Sequence, residues 1–198
     1  MHRICLALFL AAVSVGTVLA ANDPIVLSAS VSKDAQLVLF VPGGKVPPED
    51  YISLLNATQK ASNANLWAVI VRCGKLNLCN PLGGLNGEIQ EALDAATAAN
   101  GGNKFSISNT FIAGHSLGGV GARHYVDENK QSNFAGLMLF GTQYNGDNEN
   151  FSGTLGYPLN LQQFRVPFLA LLGELDMVPT SHAAMLYSQW TLLSSEEQ

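Results

Sequence analysis

Residues Gly114-His115-Ser116-Leu117-Gly118-Gly119 spell G-x-S-x-G, the spacing by which a tight strand-to-helix turn presents a serine hydroxyl for nucleophilic attack. The apolar run Thr110–Ala113 precedes the motif and a stretch with helical patterning follows it, which is the setting that gives the motif mechanical meaning. Such a turn crowds the backbone, so the positions flanking the serine must be nearly free of side chain. Gly114 and Gly118 meet that need, and Gly119 lets the new helix pack closely on the sheet. Ser116 then stands at a helix N-terminus, whose partial positive charge suits a developing oxyanion. A serine in an ordinary glycine-rich loop is the plainer reading; the strand before it and the helix after it favour a nucleophile. The implied chemistry is acyl transfer.

That chemistry needs a base, an orienting acid and two backbone donors for the oxyanion. The amide of Leu117 is one donor by construction. The second should come from Pro42-Gly43-Gly44-Lys45, the loop after the first long apolar strand, with an amide at Gly43 or Gly44 as the candidate. A phosphate-binding P-loop is dismissed, because Leu39 stands where its first glycine belongs and Val46 replaces the hydroxyl residue after Lys45. Asp176, at the end of the run Phe168–Leu172 and after Ser116 in the order serine, acid, histidine, fits the acid; Asp147 and Glu174 are alternatives. The base is the difficulty. Beyond residue 20 the histidines are His115, His124 and His182. His115 precedes the serine and should point away from its hydroxyl, and His124 lies two turns down the following helix. His182, at the start of the last helix, is the candidate within the chain. The other expectation, and the favoured one, is that the sequence stops before its true base and before a final strand.

The elements that must position these groups alternate strand and helix, the pattern of a parallel sheet covered on both faces. Strands are expected at Gln36–Val41, Trp67–Arg72, Thr110–Ala113, Gly136–Phe140 and Phe168–Leu172, with an edge strand within Ile25–Val31. Helices are expected from Pro48 to about Ser62, where Ile52, Leu54 and Leu55 recur at helical spacing, and from about Glu88 to Ala99. Two more should span Leu117–Glu128 and Thr180–Leu193. The sum is a doubly wound, mostly parallel open sheet with helices on both faces. The long polar segment Gly141–Val166 is a candidate functional loop in which Tyr144, Phe151 and Tyr157 could line a pocket or merely anchor the segment.

Residues 1–20 read as a signal peptide, with Arg3, the apolar stretch Ile4–Val18 and the small-residue pattern Val18-Leu19-Ala20. The organisation expected is therefore one exported domain, residues 21–198, secreted or lumenal. Ten basic and fifteen acidic side chains give a formal net charge of −5, one unit more negative once Arg3 leaves with the leader. With no Lys/Arg cluster, nucleic acid is not an expected partner, and no later segment is long and apolar enough to span a membrane. Cys5 also leaves, so Cys73 and Cys79 should pair in an oxidising compartment. Asn56-Ala57-Thr58 and Asn150-Phe151-Ser152 are glycosylation sequons. No Cys/His/Asp/Glu set has metal-ligand spacing, so neither metal nor organic cofactor is implied. Oligomeric state leaves no mark in the sequence.

With these motifs in place the chain resembles the α/β-hydrolases, and more narrowly the small single-domain, esterase-like serine hydrolases whose oxyanion strand ends in Pro-Gly-Gly. The segments carrying the resemblance are Val41-Pro42-Gly43-Gly44-Lys45-Val46, Gly114–Gly119 and Gly173-Glu174-Leu175-Asp176. The resemblance implies that Ser116 is the nucleophile, Asp176 the triad acid, and Gly44 and Leu117 the oxyanion amides. The implied substrate is a small-molecule or lipid-like ester. The Gly-x-x-His turn that such enzymes place near the C-terminus has no counterpart here. Two other readings stay open: a hydrolase-fold binding protein without a triad histidine, and an incomplete product of a gene whose intact form is the enzyme.

Overall fold

Leu37, Val38, Leu39, Phe40 and Val41 are all buried, so the strand they form has no solvent face, and an unbroken apolar run is what such a strand requires. The computed structural model describes residues 23–29, 34–74, 79, 85–129, 133–142 and 166–171. Six strands make one sheet: β1 (Ile25–Leu27), β2 (Gln36–Val41), β3 (Leu66–Ile70), β4 (Thr110–His115), β5 (Gly136–Phe140) and β6 (Phe168–Leu171). Their spatial order is β1-β3-β2-β4-β5-β6. Edge strand β1 runs antiparallel to β3, and the other neighbours pair in parallel. The helices are α1 (Ile52–Ala61), α2 (Asn86–Ala99) and α3 (Leu117–Glu128).

The two-residue period of the strands divides the interior into two cores. Leu37, Leu39, Val41, Val69, Ile112, Leu137 and Leu139 face a layer that includes Ile89, Ala92 and Ala96 of α2 and Ala122 and Val126 of α3. Val38, Phe40, Ala68, Ile70 and Ala113 face the other way, against Tyr51 and Leu55. The expected helix from Pro48 opens as a 3-10 turn, Pro48–Tyr51, before becoming α1. Pro48 suits that first turn, and Glu49 and Asp50 sit at its electropositive start. Within α1 the apolar residues grouped by helical spacing do not share one face. Leu54 is 45% exposed while Leu55 is buried, because a residue two after Ile52 lies on the opposite side of a 3.6-residue turn. Gln59, one turn beyond Leu55, instead donates through Nε2 to the Leu27 and Leu66 carbonyls at 2.9 and 2.8 Å, tying α1 to β1 and β3.

After β3, Cys73 and Cys79 form a disulfide with Cα atoms 4.8 Å apart, worth about 2 kcal/mol for so short a loop on the chain-entropy model. Helix α2 ends as expected at Asn100-Gly101-Gly102, with Gly101 in the left-handed region at φ 65° and the Gly102 amide bonded back to the Thr97 carbonyl at 2.9 Å.

Helix α3 meets the sheet through bare backbone. A Cβ on Gly118 would overlap the carbonyl oxygens of Val41 and Pro42, and one on Gly119 would overlap the Thr142 side chain. Gly119 therefore makes room for the loop after β5, not for the sheet surface itself. Gly118→Ala should lower stability by about 3 kcal/mol, because backbone rather than a flexible side chain must give way. Gly87→Ala, in α2 where nothing lies within 4 Å, should leave stability unchanged or raise it by about 0.5 kcal/mol. Urea-unfolding midpoints of the two variants check the pair; a Gly118→Ala protein unfolding at the wild-type midpoint would refute this packing.

Candidate active site

The chain passes from β2 to β3 on one side and then returns through α2 to β4 on the other side of β2. The strand order therefore reverses at β2 and β4, and the crevice beyond their carboxyl ends is where open α/β sheets bind ligands. Two loops meet there, the glycine loop after β2 and the serine turn after β4. The register pairs Val41 with Gly114, so the loops leave the sheet side by side.

Ser116 occupies the turn between β4 and α3 at φ 49° and ψ −122°, and it is exposed. A non-glycine residue at positive φ stores on the order of 1–3 kcal/mol and persists only where its surroundings over-determine it. They do so here. The Ser116 amide donates to the Phe140 carbonyl at 2.9 Å, and the Ser116 carbonyl accepts from the Gly119 amide at 3.0 Å. Thr142 Oγ1 donates to the same Phe140 oxygen at 3.2 Å. A Cβ on Gly114 would come 2.5 Å from the Gly118 carbonyl oxygen, and one on Gly118 would overlap the Val41 and Pro42 carbonyls, which is why the turn takes glycine on both sides of the serine.

Leu117 is the first residue of α3, and an amide in that position has no acceptor inside its own helix. Across the crevice the two candidate glycines differ. Gly43 N–H is already engaged, donating to Tyr51 Oη at 3.0 Å. Gly44 is half-buried, and among the described residues its amide has no hydrogen-bond partner. The turn closes with the Val46 amide on the Gly43 carbonyl at 3.1 Å, and Lys45 takes the left-handed region at φ 63°.

The histidines of the described residues are both committed elsewhere. His124 lies on α3 with Nδ1 3.4 Å from Glu128 Oε2. His115 turns its half-buried ring to Tyr51, with Nδ1 2.8 Å from the phenolic oxygen. Tyr51 is the residue that sequence reasoning missed. Nothing in its neighbourhood marks it, since it reaches Gly43 across eight residues and His115 across sixty-four. Burial pushes its phenol pKa up, with Asp50 adding to the rise and the Gly43 amide opposing it, so the hydroxyl is neutral at physiological pH. The turn that carries Tyr51 is clasped from outside: Arg72 donates to Glu49 Oε1 and, through Nε, to the Asp23 carbonyl. The backbone amide of Glu49 and then Arg72 hold the Glu49 carboxyl below its ordinary pKa.

Asp176 and His182 lie outside the described residues, as do Asp147, Glu174, Asn150, Tyr144, Phe151 and Tyr157. Asn56 is on α1, half-buried, and its sequon hydroxyl on Thr58 donates to the Leu54 carbonyl at 3.0 Å. Among the described residues no group of three or more His, Cys, Asp and Glu could hold a metal ion, and no helix is long and apolar enough to cross a membrane.

No protein-family model and no curated protein matches the chain in sequence. Solved structures match it in shape. S-formylglutathione hydrolase from Staphylococcus aureus superposes with a TM-score of 0.58 at 15% identity, over 82% of this chain and 71% of that one. Thermogutta terrifontis esterase 2, phosphonylated by cyclosarin, gives 0.57 at 12% identity over 85% and 72%. Esterase PE8 gives 0.51 at 18% identity over 85% and 83%. At such identities the likeness carries architecture, and with the parallel sheet, its order and its flanking helices it establishes that this chain has the α/β-hydrolase fold.

Proposed function

We propose that this protein is a serine hydrolase that cleaves carboxylic esters through an acyl-enzyme on Ser116. The observation that carries this reading is an exposed serine, held at positive φ where β4 hands over to α3, beside a glycine loop at the sheet's switch point. Ser116 Oγ attacks the ester carbonyl carbon as its proton passes to an imidazole. The tetrahedral oxyanion takes hydrogen bonds from the Gly44 and Leu117 amides, each worth about 3 kcal/mol of barrier reduction. Collapse expels the alcohol, which takes the imidazolium proton, and water then releases the acid by the same steps in reverse. Asp176 as the acid and His182 as the base are supported by their order along the chain. The substrate class suggested is a small-molecule or lipid-like ester, in keeping with the esterase names of the structural neighbours. The leader at residues 1–20 and the Cys73–Cys79 disulfide support export into an oxidising compartment, with Asn56 and Asn150 as the glycosylation positions there.

Hydrolysis of p-nitrophenyl acetate and butyrate tests the reading. Ser116→Ala should reduce turnover by at least about 10³-fold and abolish covalent labelling by a fluorophosphonate. Asp176→Asn should approach the same loss, and so should His182→Ala if His182 is the working base, because triad members act as a unit. Wild-type rates in Ser116→Ala would end the proposal, and near-normal turnover in His182→Ala would remove that residue as the base. A folded wild-type protein that neither hydrolyses esters nor takes the label would favour a binding role on this scaffold.

The strained turn yields a second test, of stability rather than rate. Ser116→Gly should raise the unfolding free energy by about 1 kcal/mol over Ser116→Ala, since only glycine adopts this backbone without cost. Equal urea midpoints for the two variants would show that the turn stores no strain.

A further inference from the structure

We propose that Tyr51 and His115 are positioning residues that set the aim of the glycine loop toward Ser116. This rests on the serine hydrolase reading for its catalytic consequence, but the pinning itself does not.

Consecutive glycines are conformationally permissive, so a loop containing Gly43-Gly44 does not fix its own amides. Two peptide planes decide where the Gly44 N–H points. The plane joining Gly43 to Gly44 is held by its carbonyl, which accepts from the Val46 amide at 3.1 Å. The plane joining Pro42 to Gly43 is held by its N–H, which donates to Tyr51 Oη at 3.0 Å. With both fixed, the Gly44 N–H is set before substrate arrives, and preorganisation of this kind is what makes an oxyanion donor effective.

The Tyr51 hydroxyl is held in turn. Its oxygen accepts from Gly43, so its single proton is free to donate, and His115 Nδ1 lies 2.8 Å away. Assigning that proton to the bond gives every group in the chain of contacts a partner and places the proton of a neutral His115 on Nε2. The ring is held in place, because it is buried and packs at a tilt against Phe40 with centroids 4.7 Å apart. The space is also reserved: a Cβ on Gly43 would fall 2.6 Å from His115 Nδ1 and 3.1 Å from Tyr51 Oη. Since His115 immediately precedes the nucleophile, the pin fastens the glycine loop to the strand end that carries Ser116.

Tyr51→Phe removes the hydroxyl and keeps the ring packed on Phe40. Amide hydrogen exchange followed by NMR should show Gly43 exchanging about tenfold faster or more, the size of one lost hydrogen bond. Val71, whose amide bonds the Phe40 carbonyl, should be unchanged. On p-nitrophenyl butyrate the variant should lose about tenfold in kcat with KM unaltered, and the unchanged Val71 exchange separates this loss from a smaller folded fraction, which would speed exchange at both amides. His115→Leu, lacking an acceptor, should fall as far. His115→Asn, whose Oδ1 can replace Nδ1, should recover to within about threefold. Unchanged Gly43 exchange in Tyr51→Phe would overturn the proposal, as would faster exchange with undiminished kcat. An Asn variant no better than Leu would remove His115 from it. Turnover that survives Ser116→Ala, or is absent from the wild type, sinks the hydrolase reading instead and leaves the pinning to be judged on exchange alone.

Discussion

The close approach of the β2 loop to the first turn of α3 is the constraint on which the rest of the structure depends. Parallel strands lie about 4.8 Å apart, and the pairing of Val41 with Gly114 sends two backbones out of the sheet at that separation. The carbonyls of Val41 and Pro42 then lie against Gly118, with no space for a Cβ between them. Because this contact is tight, the glycine loop and the serine turn lie side by side at the carboxyl ends of β2 and β4.

Holding that contact requires strand ends that do not move, and the two-faced sheet supplies them. Each side chain of Leu37–Val41 is buried in one core or the other, so β2 can neither slide nor rotate without opening cavities on both faces. The crossovers are fastened in the same spirit. Gln59 ties α1 to two strands by backbone carbonyls, and the Cys73–Cys79 bridge closes the segment after β3. The strain at Ser116 is tolerated within this frame because the Phe140 carbonyl, itself part of β5, fixes the serine amide. Rigidity in the sheet thus becomes a strained but single conformation at the turn.

How legible this was in the sequence follows from how local each signal is. The spans Gln36–Val41, Leu117–Glu128 and Gly136–Phe140 agree with the structure residue for residue, because an apolar run bounded by glycine or proline, or a glycine-started helix, is written in adjacent residues. The edge strand was foreseen but is shorter, Ile25–Leu27, and antiparallel, a direction that no local pattern encodes. Leu54 misled because hydrophobicity was read without its angle around the helix. Within the site, the serine turn is a contiguous motif, whereas the choice between Gly43 and Gly44 depends on a tyrosine hydroxyl that only the tertiary fold delivers. Asp176 and His182 were chosen by chain order, which ranks candidates without bringing them to the serine.

The glycines of the crevice are there for space more than for backbone freedom, and the distinction has a structural consequence. Among the loop and turn residues, the left-handed conformations fall on Lys45 and Ser116, not on the glycines beside them. Gly43, Gly114 and Gly118 stand instead where a Cβ would strike a side chain or a carbonyl. A loop built from residues chosen for smallness has little stiffness of its own, since glycine restricts its neighbours least. Its rigidity has to be imported, and the buried, neutral Tyr51 is placed to supply it from a different element. Close approach and preorganisation therefore pull the sequence in opposite directions at this loop, and the structure reconciles them by putting smallness in the loop and stiffness in the helix turn packed behind it.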